Sequence, residues 1–159
     1  MIFRKLNNFI FIGSCDRFPV GTEDVIKTSF QNAGKLKMKF HGIKILDDVF
    51  VRNLNKRYPV NSEERRKNIV EQHMLITPEI VTEDMLIKQI SETKKDTLYV
   101  ISSYDETNTV SSLAEWFRIN GVIYKINAGS GEVRKEYEHL KKLNEIERNN
   151  SWRARHKIN

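Results

Sequence analysis

A single cysteine, Cys15, in 159 residues leaves no partner for an internal disulfide and rules out a cysteine-rich zinc site. No apolar run approaches the roughly 20 residues that a membrane-spanning helix needs, so no membrane partner is expected. Arg4 and Lys5 precede an apolar run at 9–12, but that run is too short for a secretory signal and lacks a cleavage pattern. A cytoplasmic protein is expected on that ground. Repeats, low-complexity tracts and domain linkers are missing as well. The four histidines, His41, His73, His139 and His156, are scattered, and no pair has metal-ligand spacing on one helix or strand. Histidine is also absent from the most informative stretch of the chain, residues 9–22.

What is present fits a folded α/β protein. Charged residues make up 30% and hydrophobic residues 39%, which suits a packed core and argues against disorder. The length points to one domain over 1–150, with residues 151–159 as a basic tail. The formal charge of +6 is compatible with nucleic acid, nucleotides or an acidic protein partner. The densest late cluster is Arg153, Arg155, His156 and Lys157 beside Trp152. A solvated tail accounts for it, and contact with nucleic acid ranks below nucleotide or protein binding. Homo-oligomerisation is left open.

Residues 9–22 read Phe-Ile-Phe-Ile-Gly-Ser-Cys-Asp-Arg-Phe-Pro-Val-Gly-Thr. An apolar strand breaks at Gly13, Asp16 follows, and Gly21 opens a helix. Helix starts carry unpaired N–H groups and a dipole that favours anions, so this turn is a candidate phosphate site through Gly13, Asp16, Gly21 and Thr22. Thr22 also has the chemistry of an ordinary N-cap. Cys15 is either a small residue fitting a tight turn or a thiol whose pKa the helix start lowers.

Strand-like runs occur at 8–12, 49–53, 97–102 and 121–126, alternating with segments of helical period. A helix over 22–31 turns Val25, Ile26 and Phe30 to one side and stops near Gly34. A second begins at Asn61 or Ser62, where Asn61 and Glu64 have capping-box spacing. A third starts after Thr82 with Met85, Ile87 and Ile90. A fourth spans 109–119 with Val110, Leu113 and Phe117 inward and stops at Gly121. The last covers about 131–147, with Val133, Tyr137, Leu140 and Leu143 inward. Residues 35–45 either prolong the first helix or add a strand pair as an insertion. The alternation predicts a Rossmann-like three-layer α/β/α fold with a mainly parallel sheet. Ligands then bind at the carboxyl ends of the strands, where 13–22, 53–57 and 127–134 converge.

These segments, in this order, resemble the nucleotidyltransferase superfamily of cytidylyltransferases and of pantetheine-phosphate and nicotinamide-mononucleotide adenylyltransferases. Its first motif is Gly-x-Phe-Asp-x-x-His-x-Gly-His at the start of a helix. Gly13, Asp16 and Gly21 match without a gap, while Pro19 and Thr22 stand at the two histidine positions. Leu46-Asp-Asp-Val-Phe-Val-Arg-Asn resembles the family's Leu-Gly-Asp-x-Val-Val-Val strand, and Asn61-Ser-Glu-Glu-Arg-Arg its Ser/Thr-x-Glu-Glu-Arg helix start. Gly129-Ser130-Gly131-Glu132-Val133-Arg134 resembles its late phosphate-binding turn. The match spans most of the chain except 35–45 and the tail.

The resemblance implies transfer of a nucleoside monophosphate from CTP or ATP to a phosphorylated acceptor, with pyrophosphate leaving and Mg²⁺ assisting. The protein's share is position and positive charge. Pro19 has no donor and Thr22 no cationic form, so the same resemblance implies a catalytically degenerate protein that binds a nucleotide or a protein and regulates. The Lys/Asn/Ile-rich composition, of the sort seen in AT-rich genomes including those of large phages, favours a regulatory accessory. An active transferase is the alternative. It would use Arg134, Lys56 and Arg57 at the phosphates, with Gly129, Ser130 and Gly131 as the backbone cradle, and Mg²⁺ as cofactor; otherwise no cofactor is expected. A nucleic-acid adaptor is a weaker alternative. Arg65 and His41 are further candidates if they face the site, and Asp105 and Glu106 can meet a base, a ribose or a metal ion. Each of these four is equally an ordinary surface or loop residue.

Overall fold

The computed structural model describes residues 6–93 and 96–129. Five strands and five helices alternate along them: β1 (Asn8–Gly13), α1 (Thr22–Lys35), β2 (Lys39–Leu46), α2 (Asp48–Asn55), α3 (Glu63–Met74), β3 (Glu79–Val81), α4 (Glu83–Thr93), β4 (Thr97–Ser102), α5 (Thr107–Ile119) and β5 (Tyr124–Asn127). The strands form one sheet in the order β3-β2-β1-β4-β5, and every neighbouring pair is parallel. This is the Rossmann-like α/β/α architecture that the alternation predicts.

The central strands are apolar on both sides because both sides are covered. Phe9 and Phe11 of β1 join Val25, Ile26 and Ala33 of α1 and Val70 of α3 in one core. Ile10 and Ile12, one residue out of phase, join Phe50 and Val51 of α2, Leu86 of α4, and Leu113 and Phe117 of α5 in the other. Phe9 pairs with Phe40 and Phe11 with Ile43, so β2 carries one extra residue there. Gly42 at φ 109° absorbs that bulge.

Several boundaries differ from the sequence expectation. Residues 49–53 belong to a helix, α2, and not to a strand. Asp47 in extended conformation accepts the Phe50 N–H at 2.8 Å, and that cap starts the helix. The strand resembling the family's Leu-Gly-Asp motif therefore ends at Leu46. Residues 35–45 both prolong the helix and add a strand: α1 runs past Gly34 to Lys35, and β2 begins at Lys39 as a full member of the sheet. Ser62, not Asn61, caps α3 by accepting the Arg65 N–H at 3.3 Å. In α4 Leu86 is fully buried while Met85 and Ile87 are exposed, and in α1 Phe30 stays half exposed. The short strand β3 had no clear sequence signal. The expected helix at 131–147 and the tail lie outside the described residues. Among the described residues no helix is long and apolar enough to cross a membrane.

Candidate functional site

In the observed strand order the chain reverses direction between β1 and β4. The loop after β1 leads to α1 on one face, and the loop after β4 leads to α5 on the other. A crevice at such a switch point is where open α/β sheets hold ligands. The residues that build it can be taken loop by loop.

Gly13 ends β1, and a Cβ there would lie 2.7 Å from the Asp105 carboxylate. Glycine thus lets the β4 loop close onto the β1 loop. The Asp105 carboxylate accepts the Ser14 backbone N–H at 2.8 Å, the Ser14 hydroxyl, and the Glu106 N–H at 2.8 Å. Asp105 is buried, and burial pushes its carboxyl above the ordinary range; its hydrogen bonds with Ser14 and Glu106 pull the other way, and Asp16 adds repulsion. Cys15 is buried beside it at φ 57°. Burial, then the nearby Asp105 charge, push its thiol pKa far up, so the lowering expected from a helix start is not found. The reason is that desolvation of a thiolate outweighs a dipole when no water reaches the sulfur.

Asp16 reaches across to the segment before α3. Its carboxylate accepts Val60 N–H at 2.7 Å, Asn61 N–H at 2.9 Å and the Asn61 amide at 3.2 Å. Arg66 of α3 is fully buried beneath this junction. It donates to the carbonyls of Ser14 (2.6 Å), Leu46 (2.7 Å) and Asn61 (3.0 Å), and to Asp48 at 2.7 Å. One guanidinium therefore ties together the ends of β1 and β2 and the starts of α2 and α3. Sequence reasoning missed Arg66, since in Glu-Glu-Arg-Arg-Lys it looks like one more solvent-facing cation.

The start of α1 is closed from above. Gly21, at φ 74°, is the N-cap and makes no side-chain cap bond. A Cβ on it would fall 2.3 Å from the Tyr104 ring, so this ring lies directly on the glycine. Thr22 is the first helical residue, not the N-cap, and its hydroxyl pairs with Ser102 at 3.1 Å. Pro19 is half-buried and follows a cis peptide bond with Phe18. Glu23 and Asp24 fill the first turn with negative charge.

Of the three expected segments, 13–22 and the described part of the third, 127–129, come together, and the bridge to the middle of the chain is made at 60–61 and not by 53–57. Residues 13–22 meet 60–61 through Asp16, and meet 127–129 through the first turn of α1. Gly129 N–H bonds the Asn127 side chain at 2.8 Å, and a Cβ on Gly129 would lie 2.3 Å from Asp24. Lys56, at φ 65°, forms the αL C-cap of α2 and is exposed; Arg57 beside it is half-buried. They follow a helix and not a strand, yet they still lead into the Asp16 junction. Ser130, Gly131 and Arg134, with His139, His156 and the basic tail, lie outside the described residues.

The remaining candidates separate. Glu106 is buried and caps α5 by accepting Thr109 N–H at 3.2 Å. The Arg65 side chain is exposed on α3. His73 pairs with Glu23 at 3.6 Å and packs against Phe18. His41 sits near the start of β2, where it bonds Asn8 at 2.5 Å, at the end of the strands opposite the crevice. Among the described residues no group of three or more acids, histidines or cysteine is arranged to hold a metal ion. Asp16, Asp105 and Glu106 each accept backbone N–H groups already, so this donor set does not fit a resident Mg²⁺.

No protein-family model matches the chain, and no curated protein sequence matches it. Among solved structures it is similar to the lipopolysaccharide core biosynthesis protein from Thermoplasma volcanium GSS1. The two are 21% identical, the likeness covers 76% of this chain and 93% of that chain, and the TM-score is 0.46. Similarity at this level does not transfer a function.

Proposed function

We propose that this chain is a catalytically degenerate nucleotidyltransferase-like protein that acts by binding in a regulatory role, with CTP or ATP as the ligand of the switch-point crevice. The observation that carries the reading is the occupation of the transfer region by the chain's own groups. Asp105 takes the Ser14 amide and hydroxyl, Tyr104 covers Gly21, and Thr22 is engaged with Ser102. Pro19 and Thr22 supply no imidazole where the superfamily's pattern has two. One lost donor to a developing charge costs on the order of 10²–10³ in rate, and two lost donors leave little turnover.

A ligand in this crevice meets its cations at Lys56 and Arg57, and not at the acidic first turn of α1. Titration of isotope-labelled protein with CTP and with ATP tests this by NMR. Saturable shifts at the amides of Asp16, Gly21, Arg57 and Gly129, weakened about tenfold or more by Lys56→Ala with Arg57→Ala, are the expected result. Unmoved amides at millimolar nucleotide would remove the nucleotide from the proposal.

A further inference from the structure

We infer that the end of α1 and the start of β2 form a docking surface for an acidic polypeptide segment that carries aromatic or aliphatic side chains. Between Asp24 and Asp47 the chain has no acid at all, but five lysines, at 27, 35, 37, 39 and 44. Lys27 pairs with Glu23 at 3.0 Å and Lys44 with Glu79 at 3.1 Å. Lys35, Lys37 and Lys39 are exposed, and no ion pair to them forms among the described residues. The turn that holds them is ordered by the backbone: Met38 N–H bonds Ala33 carbonyl at 2.8 Å and Leu36 N–H bonds Asn32 carbonyl at 3.1 Å, with Lys37 at φ 58°.

Apolar surface lies between these charges. Leu36 is 69% exposed and Phe30, two turns back, is 48% exposed. Leu36 also borders a cleft of about 60 Å³ between α1 and strands β1, β4 and β5, walled by Ala33, Met38, Leu98 and Val100. Lys125 lines the cleft too and is exposed. Ser29, Asn32 and Asn127 line it as well, and the charged groups nearest its mouth are the cations Lys35, Lys37 and Lys125, so a ligand that covers it is favoured by apolar groups and negative charge together.

The shape selects a polypeptide over other anions. Phe30 packs tilted against Phe40 at 4.9 Å and at right angles to Phe9 at 6.0 Å, and this one half-exposed ring is not the succession of stacking platforms that a single strand uses. A bilayer is met by a broad apolar face, and a cleft between a helix and a sheet is concave. Carboxylates on an extended or helical segment can reach several lysines while its side chains enter the cleft. Along the 14 residues of α1 the lysine turn lies about 20 Å from the crevice, while the cleft reaches back to Asn127 beside it.

Selection of a random peptide library on the immobilised full chain tests the inference. Enriched sequences are expected to combine Asp or Glu with Phe, Leu or Trp. A synthetic peptide from the selection should weaken at least about tenfold on joint Lys35→Glu, Lys37→Glu and Lys39→Glu substitution, and comparably with Leu36→Ser plus Phe30→Ser. Its affinity should also drop steeply between about 0.01 M and about 1 M salt, as the screening length falls from about 30 to about 3 Å. Joint substitution of the three lysines by Gln, checked for an unchanged melting curve, separates lost charge from a damaged fold. The inference is overturned if no sequence is enriched, if enriched sequences lack acids, or if their binding ignores both sets of substitutions. Preferential capture of a single-stranded oligonucleotide or of phosphatidylserine vesicles by the same lysines would overturn it as well.

Discussion

Asp105 shows how much of this molecule rests on single side chains placed between loops. Its carboxylate accepts the Ser14 and Glu106 N–H groups, and it is held where solvent does not reach. Because burial raises its folded-state pKa, the folded protein binds a proton there more tightly than the unfolded chain does. The linked stability is complete below the ordinary carboxylate value of 3.8 and is lost as pH rises through the folded-state value. Asp105→Asn cannot ionise. It should be less stable than wild type at low pH, since its amide cannot accept all three donors, and the gap should narrow as pH rises. Urea unfolding of both proteins across the acidic and neutral range reads this; a gap constant with pH would contradict it. Arg66 acts on the same scale with the opposite charge. Arg66→Ala leaves three carbonyls and Asp48 without their donor, and should cost about 3–5 kcal/mol in the same measurement. Cys15 should stay unmodified by a thiol reagent until the chain unfolds, because both burial and the neighbouring Asp105 disfavour the thiolate.

At the level of elements, the strength of the local signal decided what the sequence alone could tell. β1 and β4 are continuous apolar runs, and α5 carries a clean helical stripe, so each was legible. The α2 segment Val-Phe-Val is short and β-branched, which fits either state, and the Asp47 cap tips it to helix. Asp47→Ala should therefore cost about 1 kcal/mol and fray α2, seen as faster amide exchange at Phe50 and Val51. Exchange unchanged at those amides would show that packing alone fixes the helix. β2 was obscured by its own exposure: Lys39 and His41 face solvent at its outer end, and the bulge at Gly42 breaks the alternation. β3 has three residues, too few for any period to show.

For the whole molecule, the α/β/α architecture with its parallel sheet was readable because alternation is a local property, whereas the strand order emerges only from the structure. Which groups fill the crevice was not readable either. Asp105 and Ser14 are 91 residues apart, and Arg66 and Ser14 are 52 apart, so their pairing exists only once the sheet has formed. That pairing changes the meaning of the first glycine turn. Its amide and hydroxyl donors serve the fold, and the charge around α1's first turn is negative. Among the described residues, exposed positive charge stands at the α2 cap and at the far end of α1, while Arg66 is buried under the first loop and spent on carbonyls. On the proposed reading the chain holds a ligand and does not neutralise a leaving pyrophosphate. The most direct test is pyrophosphate release from CTP and ATP, with Mg²⁺ and a panel of phosphorylated acceptors, as protein concentration is raised. The account predicts release no faster than in protein-free controls; release that scales with protein and disappears on Arg134→Ala would contradict it.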